Sequence, residues 1–397
     1  MEFTNSDSNL PDSEQEIDLG KSRIKNMGNT CYMNSILQCI NHTPLLREYI
    51  LSNRYVDTLK QNIKDAGGEG KSDENVVKTV FKTNIIYQLH RIMKIMWSKN
   101  CLVTPASFRK LVAKKNDMFQ GFRQHDSQEF MIYIIDQIHE EMGQKANILF
   151  GKENTEFKTK KSTKQMSETS NVMENQLISI LAMTSWRNYI RHKYSIITEL
   201  FTGMYHSTLE SNTCHNKSHA FDPFMCLSAS VPIDTSANPY FESRKEFSLY
   251  ELLDNFFSLE EMSGDNKVNC ERCCRKTDST KQISIWFPPK ILIIQIKRFL
   301  KNPYGYTTKK INNKVTYPIR GLDLYKYTSE ANKKSYKYNL FAVNIHSDFG
   351  GINSGHYYSY CKNTFDNKWY CYNDEHIVEI KNVQHNDAYL LFYYLDS

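Results

Sequence analysis

The stretch Asn26-Met27-Gly28-Asn29-Thr30-Cys31-Tyr32-Met33-Asn34-Ser35-Ile36-Leu37-Gln38 does most to limit how this chain can fold, because a small polar turn leads into an apolar-periodic segment headed by a cysteine. Asn29 and Thr30 are good helix N-cap types, and Gly28 permits a tight approach turn. Tyr32, Ile36 and Ile40 then recur at helical spacing until Pro44, which disfavours helix past Thr43. The spacing predicts a helix that opens at Cys31. A thiol at that end faces unpaired amide N–H groups and the positive end of the helix dipole, which favours its thiolate form. The plainer alternative is a small buried hydrophobe, the role expected of Cys39 inside the same helix. A distant histidine with an orienting partner decides between the two.

With 397 residues, 40% of them hydrophobic, the chain can bury a large core as one big domain or as two or three packed subdomains. The formal charge of +6 is spread over 50 basic and 44 acidic residues, so it does not call for nucleic acid and at most suits an acidic partner. No apolar run approaches the length of a membrane span, so no membrane partner is expected. The N-terminus, MEFTNSDSNLPDSEQEIDLG, is acidic and polar with no secretory apolar region. Ten cysteines in such a chain fit a reducing compartment, cytosol or nucleus, as core, metal or catalytic residues and not as disulfides.

Residues 1–21 read as a disordered acidic tail. Further on, residues 65–75 read as a loop, Val76 to Met96 as a helix, and Thr104-Pro105 as a helix start with proline at the first helical position. Asp126 and Glu129 in GFRQHDSQEF have capping-box spacing, and Phe130, Ile134, Ile138 and Met142 line one helix face until Gly143. By composition alone, Gln124, His125 and Asp126 are a solvated cap. Residues 151–175 are charged and poor in large apolar residues, hence an inserted mobile loop, with order resuming by Ile178.

From Phe201 onward strands alternate with short polar turns. Cys270-Glu271-Arg272-Cys273 is a CxxC knuckle, with Cys274 adjacent. Its partner knuckle, Cys214-His215-Asn216-Lys217, has a lysine where the fourth thiolate of a zinc ribbon belongs. Structural zinc on Cys214, Cys270 and Cys273 then needs a fourth ligand from His215, His219 or Cys274; a ribbon held by packing alone is the alternative. Ile283 to Phe299 reads as two strands interrupted by Pro288-Pro289, the second buried on both faces through Ile291 to Ile294. Tyr338 to His346 and Ala388 to Leu395 are further strands, so a sheet-based C-terminal half faces a helical N-terminal half across a cleft.

The base expected in that cleft is His356, with His346 the nearest rival. Gly355 lets a substrate backbone pass close to it. His356 to Cys361 and Lys368 to Asn373 are aromatic-rich strands joined by a polar loop, and if Cys361 faces Lys368, then His356 faces Asn373 on the same side. A slip of one residue brings Asp374 level instead, so Asn373 is the first choice of orienter and Asp374 the reserve.

Cys31, His356 and Asn373 together supply the nucleophile, base and orienter of a thiol hydrolase. The chain resembles the ubiquitin-specific protease family of deubiquitinating, papain-like cysteine peptidases. The resemblance is carried, in order, by IKNMGNTCYMNSILQC, GFRQHDSQEF, PKILIIQIKRF, SGHYYSYCKN, WYCYND and AYLLFYY, and covers about residues 22–397. It implies an α+β right-hand architecture: a helical thumb over about 22–200, β-ribbon fingers over about 201–287 and an antiparallel-sheet palm over about 288–397. It also implies that Cys31 is the nucleophile, His356 the general base and acid, and Asn373 the third member, with Asp374 a contributor. Asn26 matches an oxyanion-hole asparagine, and Gln124 and Asp126 match positions that contact the ubiquitin tail, with Gly355 and Tyr357 further candidates for substrate contact. Catalysis in the family takes no cofactor. The sequence departs from the pattern at Lys217, where a zinc-binding cysteine is usual, and at Cys226, where aspartate is common. The implied partners are ubiquitin and ubiquitinated proteins, with an activating protein partner left open. The other readings are a non-catalytic ubiquitin-binding scaffold and a peptidase for another ubiquitin-like modifier.

Overall fold

The computed structural model describes residues 19–65, 81–145, 166–232, 246–301, 307–351 and 354–396. The helix expected at the front runs over Cys31–Asn41, and all eleven of its residues are buried. A helix buried all round must satisfy its polar side chains internally. Gln38 donates to the Ser22 carbonyl (2.9 Å), and Asn41 accepts from the Trp97 indole (2.8 Å). Around it pack helices Pro44–Leu51, Ile85–Met96, Ala106–Lys115 and Ser127–Met142. Pro105 stands at the N-cap of its helix and not at the first helical position. Of the helix expected over Val76 to Met96, residues 76–80 lie outside the described residues.

The second half is built on one sheet, in the order His376–Ile380, Trp369–Asn373, Ser354–Lys362, Lys337–Gly351, Ala388–Leu395, Ile291–Lys297 and Leu227–Ser230. Its pairs are antiparallel except the last, which is parallel. The continuous apolar strands are covered on both faces, as their lack of alternation predicts. Ile291, Ile293, Leu390 and Phe392 face the helices, while Leu292, Ile294, Leu391 and Tyr393 face a second core closed by helix Leu249–Phe256. The face shared with the helices is the seam along which the two halves meet.

A separate antiparallel sheet, in the order Lys217–Phe224, Gly203–Ser211, Ser279–Phe287 and Glu260–Met262, projects from this body. Pro288-Pro289 separates it from the central sheet, since proline cannot extend a ladder. Helix Met166–His192 packs on it through Ile178 and Ala182 against Met204, Phe221 and Trp286. That helix takes in the last ten residues of the stretch expected to be loop, a correction to the 151–175 boundary; no glycine or proline interrupts the sequence after Met166. No helix among the described residues is long and apolar enough to cross a membrane.

Candidate active site

Cys31 is the first residue of its helix and is only 3% exposed. Neither expected cap type caps the helix: Asn29 donates to the Phe122 carbonyl and Thr30 serves the loop before Cys31. Thr30 occupies the N-cap position but makes no capping bond; its Oγ1 accepts from the Met27 N–H (2.9 Å). Asn26 Oδ1 accepts from the N–H groups of Gly28 (3.0 Å) and Thr30 (3.3 Å), closing the loop on itself. Gly28 and Asn29 both adopt positive φ, which makes the tight approach that glycine and asparagine tolerate best. The first-turn N–H groups at Cys31 are therefore not taken by a cap side chain.

His356 lies on strand Ser354–Lys362, and its Nε2–H donates to Asn373 Oδ1 at 2.6 Å. A hydrogen bond with Cys31 raises the imidazole to about 9; burial opposes this, and Asn373 and the Asp374 charge reinforce it. The sulfur and the imidazole, 325 positions apart in sequence, are thus brought together across the seam. The hairpin does not have the expected register. Cys361 pairs with Tyr370 and Ser359 with Tyr372, so Asn373 lies diagonal to His356 and not opposite it. The slip is of two residues, and with a side-chain period of two it leaves both groups on the same face, where the diagonal is within reach.

Asp374, the reserve choice, is 3.9 Å from the same imidazole nitrogen. Its carboxylate is committed elsewhere: Oδ2 accepts from Asn26 Nδ2 (2.8 Å) and Oδ1 from Asn34 Nδ2 (2.7 Å). Its carbonyl accepts from the Ile24 N–H (3.0 Å), and its φ of +49° makes the turn that permits all three. One turn residue therefore ties the base-bearing hairpin to the loop and the helix that flank Cys31. The Asn26 amide keeps its second N–H for another acceptor. The role of Asn34 was not foreseen; the signal available was a polar residue three positions past Cys31 in a helix otherwise reading as core.

A second unforeseen node is Asn344, fully buried on strand Lys337–Gly351. It accepts from Ser127 Oγ (2.8 Å) and donates to Ser35 Oγ (2.9 Å), so it joins the cysteine helix and the Ser127–Met142 helix to the sheet. Asp126 caps the latter helix, accepting from Gln128 N–H (2.6 Å), while its other oxygen accepts from Tyr389 (2.7 Å). Gln295 in turn donates to that Tyr389 hydroxyl (2.9 Å), so the solvated-cap reading of Asp126 does not hold. His125 packs edge-on to Tyr32 and Phe119, and burial lowers its pKa. Gln124 is exposed and donates to the Gly355 carbonyl across the cleft (3.2 Å). Tyr357 is buried against His346. A side chain is also excluded at Gly355 from within, because a Cβ there would run into the His346 imidazole. The rival His346 is packed between Phe299 and Tyr357.

At the far end of the projecting sheet, the sulfurs of Cys214, Cys270 and Cys273 lie within 4.8 Å of one another, with Cys214 and Cys270 3.5 Å apart. The Asn216 N–H and the neighbouring thiols hold Cys214 down to about 7. Three soft donors at this spacing fit a thiophilic metal ion. The candidates for a fourth ligand are turned elsewhere: His215 to Glu210 (3.1 Å), His219 to His206 (2.9 Å) and Cys274 to the Glu271 carbonyl (3.3 Å). Lys217 leans toward Glu210 at 3.9 Å.

A sequence model of the family described as ubiquitin carboxyl-terminal hydrolase matches residues 22–393. Ubiquitin carboxyl-terminal hydrolase 2 of Homo sapiens is 30% identical over 382 residues, covering 95% of this chain and 56% of that protein. A probable ubiquitin carboxyl-terminal hydrolase of Acanthamoeba polyphaga mimivirus is 31% identical over 434 residues, covering 94% of this chain and 90% of that protein. The chain thus spans about half the length of the mammalian relatives it matches. Among solved structures, the SAGA Ubp8/Sgf11/Sus1/Sgf73 DUB module bound to ubiquitin aldehyde shares the fold, with a TM-score of 0.66 at 24% identity over 96% of this chain and 71% of that one.

Proposed function

Since the chain belongs to the ubiquitin carboxyl-terminal hydrolase family, whose papain-like α+β fold it has, we propose that it is a deubiquitinating cysteine peptidase. It hydrolyses the isopeptide or peptide bond after the C-terminal glycine of ubiquitin, and its partners are ubiquitin and ubiquitinated proteins. The observation that carries this is the contact between the Cys31 thiol and a histidine itself oriented by Asn373. In the reaction, the Cys31 sulfur attacks the glycine carbonyl. The free N–H of Asn26 Nδ2 and the Cys31 amide receive the oxyanion, each worth about 3 kcal/mol of transition-state stabilisation. His356, held protonated by its partners, gives its proton to the departing lysine amine, and then takes one from the water that releases ubiquitin from the sulfur. Gln124, Asp126, Gly355 and Tyr357 flank the path of the ubiquitin tail. Asp374 acts through Asn26 and Asn34 as a positioning residue.

No cofactor enters this chemistry. Cys214, Cys270 and Cys273 would hold a structural zinc ion, which would tie the two turns at the end of the projecting sheet; its fourth donor would come from outside these three. Thumb, fingers and palm are part of this reading, but with other bounds than about 22–200, 201–287 and 288–397: Leu227–Ser230 and helix Leu249–Phe256 belong with the central sheet, and helix Met166–His192 packs on the projecting one. The ten thiols of the chain favour cytoplasm or nucleus as its compartment.

The test is turnover of a ubiquitin C-terminal fluorogenic substrate. The wild type cleaves it, and Cys31→Ala abolishes cleavage while ubiquitin binding persists. Residual turnover by the pure variant points to another nucleophile. Binding without turnover by the wild type means a scaffold, and labelling by a ubiquitin-like probe in preference to a ubiquitin probe means a different modifier.

A further inference from the structure

On the outer side of the loop that precedes Cys31 lies an apolar pocket of about 310 Å³, lined by Met27, Ala106, Arg109, Lys110, Phe119 and Phe122 among others. None of Gln124, Asp126, Gly355 or Tyr357 lines it. Its walls are fastened in place. Arg109 donates to the carbonyls of Met27 (2.9 Å) and Gly121 (2.6 Å), and its guanidinium lies 4.6 Å over the Phe122 ring. Asn29 donates to the Phe122 carbonyl (2.8 Å). Yet Phe122 is 67% exposed, so a large apolar group stands uncovered on a preformed rim.

The charge around this pocket is one-sided. Between Lys99 and Arg123 the chain has six cations and a single acid, Asp117, whose carboxylate accepts from Gln120. Lys115 is paired with Glu141 at 3.1 Å. Lys110, Lys114 and Arg123, with Lys25 on the adjoining loop, are exposed and make no ion pair among the described residues. An apolar pocket inside a cationic rim complements an apolar side chain flanked by carboxylates.

We propose that this pocket receives the protein from which ubiquitin is removed, and that the enzyme selects lysines whose neighbours are an apolar residue and acidic residues. The proposal rests on the deubiquitinase reading, in which the ubiquitin tail takes the groove at Gln124 and Gly355. A ligand in a separate pocket is then supplied by the acceptor protein. Because Met27 forms the pocket wall and adjoins Asn26, the acceptor docks against the loop that holds the oxyanion.

The test uses the full chain and three substrates: ubiquitin on a C-terminal fluorophore, and ubiquitin isopeptide-linked to either of two peptides. One peptide carries leucine and aspartates around the lysine; in the other, lysines replace the aspartates. The wild type should cleave the acidic conjugate with a kcat/KM about tenfold higher, a preference that fades at high salt. Lys110→Glu should remove the preference and Ala106→Glu should slow the acidic conjugate, both leaving the fluorophore substrate unaffected. Equal cleavage of the two peptides by the wild type overturns the proposal, and so does an equal loss on all three substrates, which would assign the pocket to ubiquitin itself. Failure of the wild type on the fluorophore substrate overturns the deubiquitinase reading instead.

Discussion

The seam at Cys31 and the three-thiol cluster at the end of the projecting sheet are both polar sites, yet they are built in opposite ways. At the seam, groups from residues 24 to 35 are bonded to groups from 344 to 374, and the linking carboxylate of Asp374 serves two amides at once. The thiol cluster is made by two hairpin turns, one between Gly203–Ser211 and Lys217–Phe224 and one between the short strands Val268–Cys270 and Arg275–Thr277. Its third and fourth positions are not equivalent, since Lys217 stands where a thiolate would close the set. A site assembled from rigid, buried elements keeps its geometry through many redundant contacts. One assembled from exposed turns depends on its few ligands.

The sharpest way to break the contrast is Asp374→Ala. It removes the acceptor of the Asn26 and Asn34 amides, and kcat should fall by about 10² to 10³ with KM little changed, as for loss of an oriented oxyanion donor. If only KM rises, Asp374 belongs to substrate binding and not to the loop. Next in size, Asn344→Leu should cost about 1–3 kcal/mol in denaturant unfolding, since it leaves the buried Ser127 hydroxyl without its acceptor and Ser35 without its donor, and lower kcat about tenfold. Asn344→Ser, which keeps one hydrogen bond, should recover part of both.

The protonation of His356 sharpens the comparison further. The imidazole is raised to about 9, so it holds its proton in the folded protein beyond the point where an ordinary histidine loses it. The stabilisation linked to this proton is full below about 6.5 and is lost as pH rises through about 9. The alkaline limb of kcat/KM should accordingly lie near pH 9. Cys31→Ala, removing the largest cause of the rise, should lower the imidazole pKa measured by NMR, and Asn373→Ala should move the limb to lower pH. The smallest effect is expected at the thiol cluster. Cys270→Ser should lower Tm by a few degrees and change turnover of a ubiquitin–fluorophore substrate less than about twofold. A larger loss of kcat would show that the projecting sheet and the seam are coupled.

Much of this arrangement was legible from local patterns. The buried run Ile291 to Ile294 lacks alternation and is covered on both faces, and Pro288-Pro289 marks the break between two sheets. The helix headed by Cys31 ends before Pro44 as its spacing indicates. What escaped was whatever depends on pairing at a distance. The hairpin register was two residues off because the polar loop between its strands contains no turn signal strong enough to pin one pairing. Asp126 looked like a surface cap because its second partner, Tyr389, lies 263 positions away. Nothing local to Gly355 shows that a side chain there would meet the His346 imidazole, which only the strand pairing brings alongside.

By itself, the amino-acid order determined which side chains are equipped for thiol chemistry, where the cysteine helix begins, and that strands follow helices along the chain. Spacing, caps and proline act within a few residues, so they can be read from a string. Only the tertiary structure decided that Asn373 rather than Asp374 meets His356, that Asp374 braces Asn26 and Asn34, and that Asn344 locks two helices to the sheet. Each of those outcomes turns on hydrogen-bond distances of 2.6 to 2.9 Å between elements whose relative placement is set by packing of the shared core.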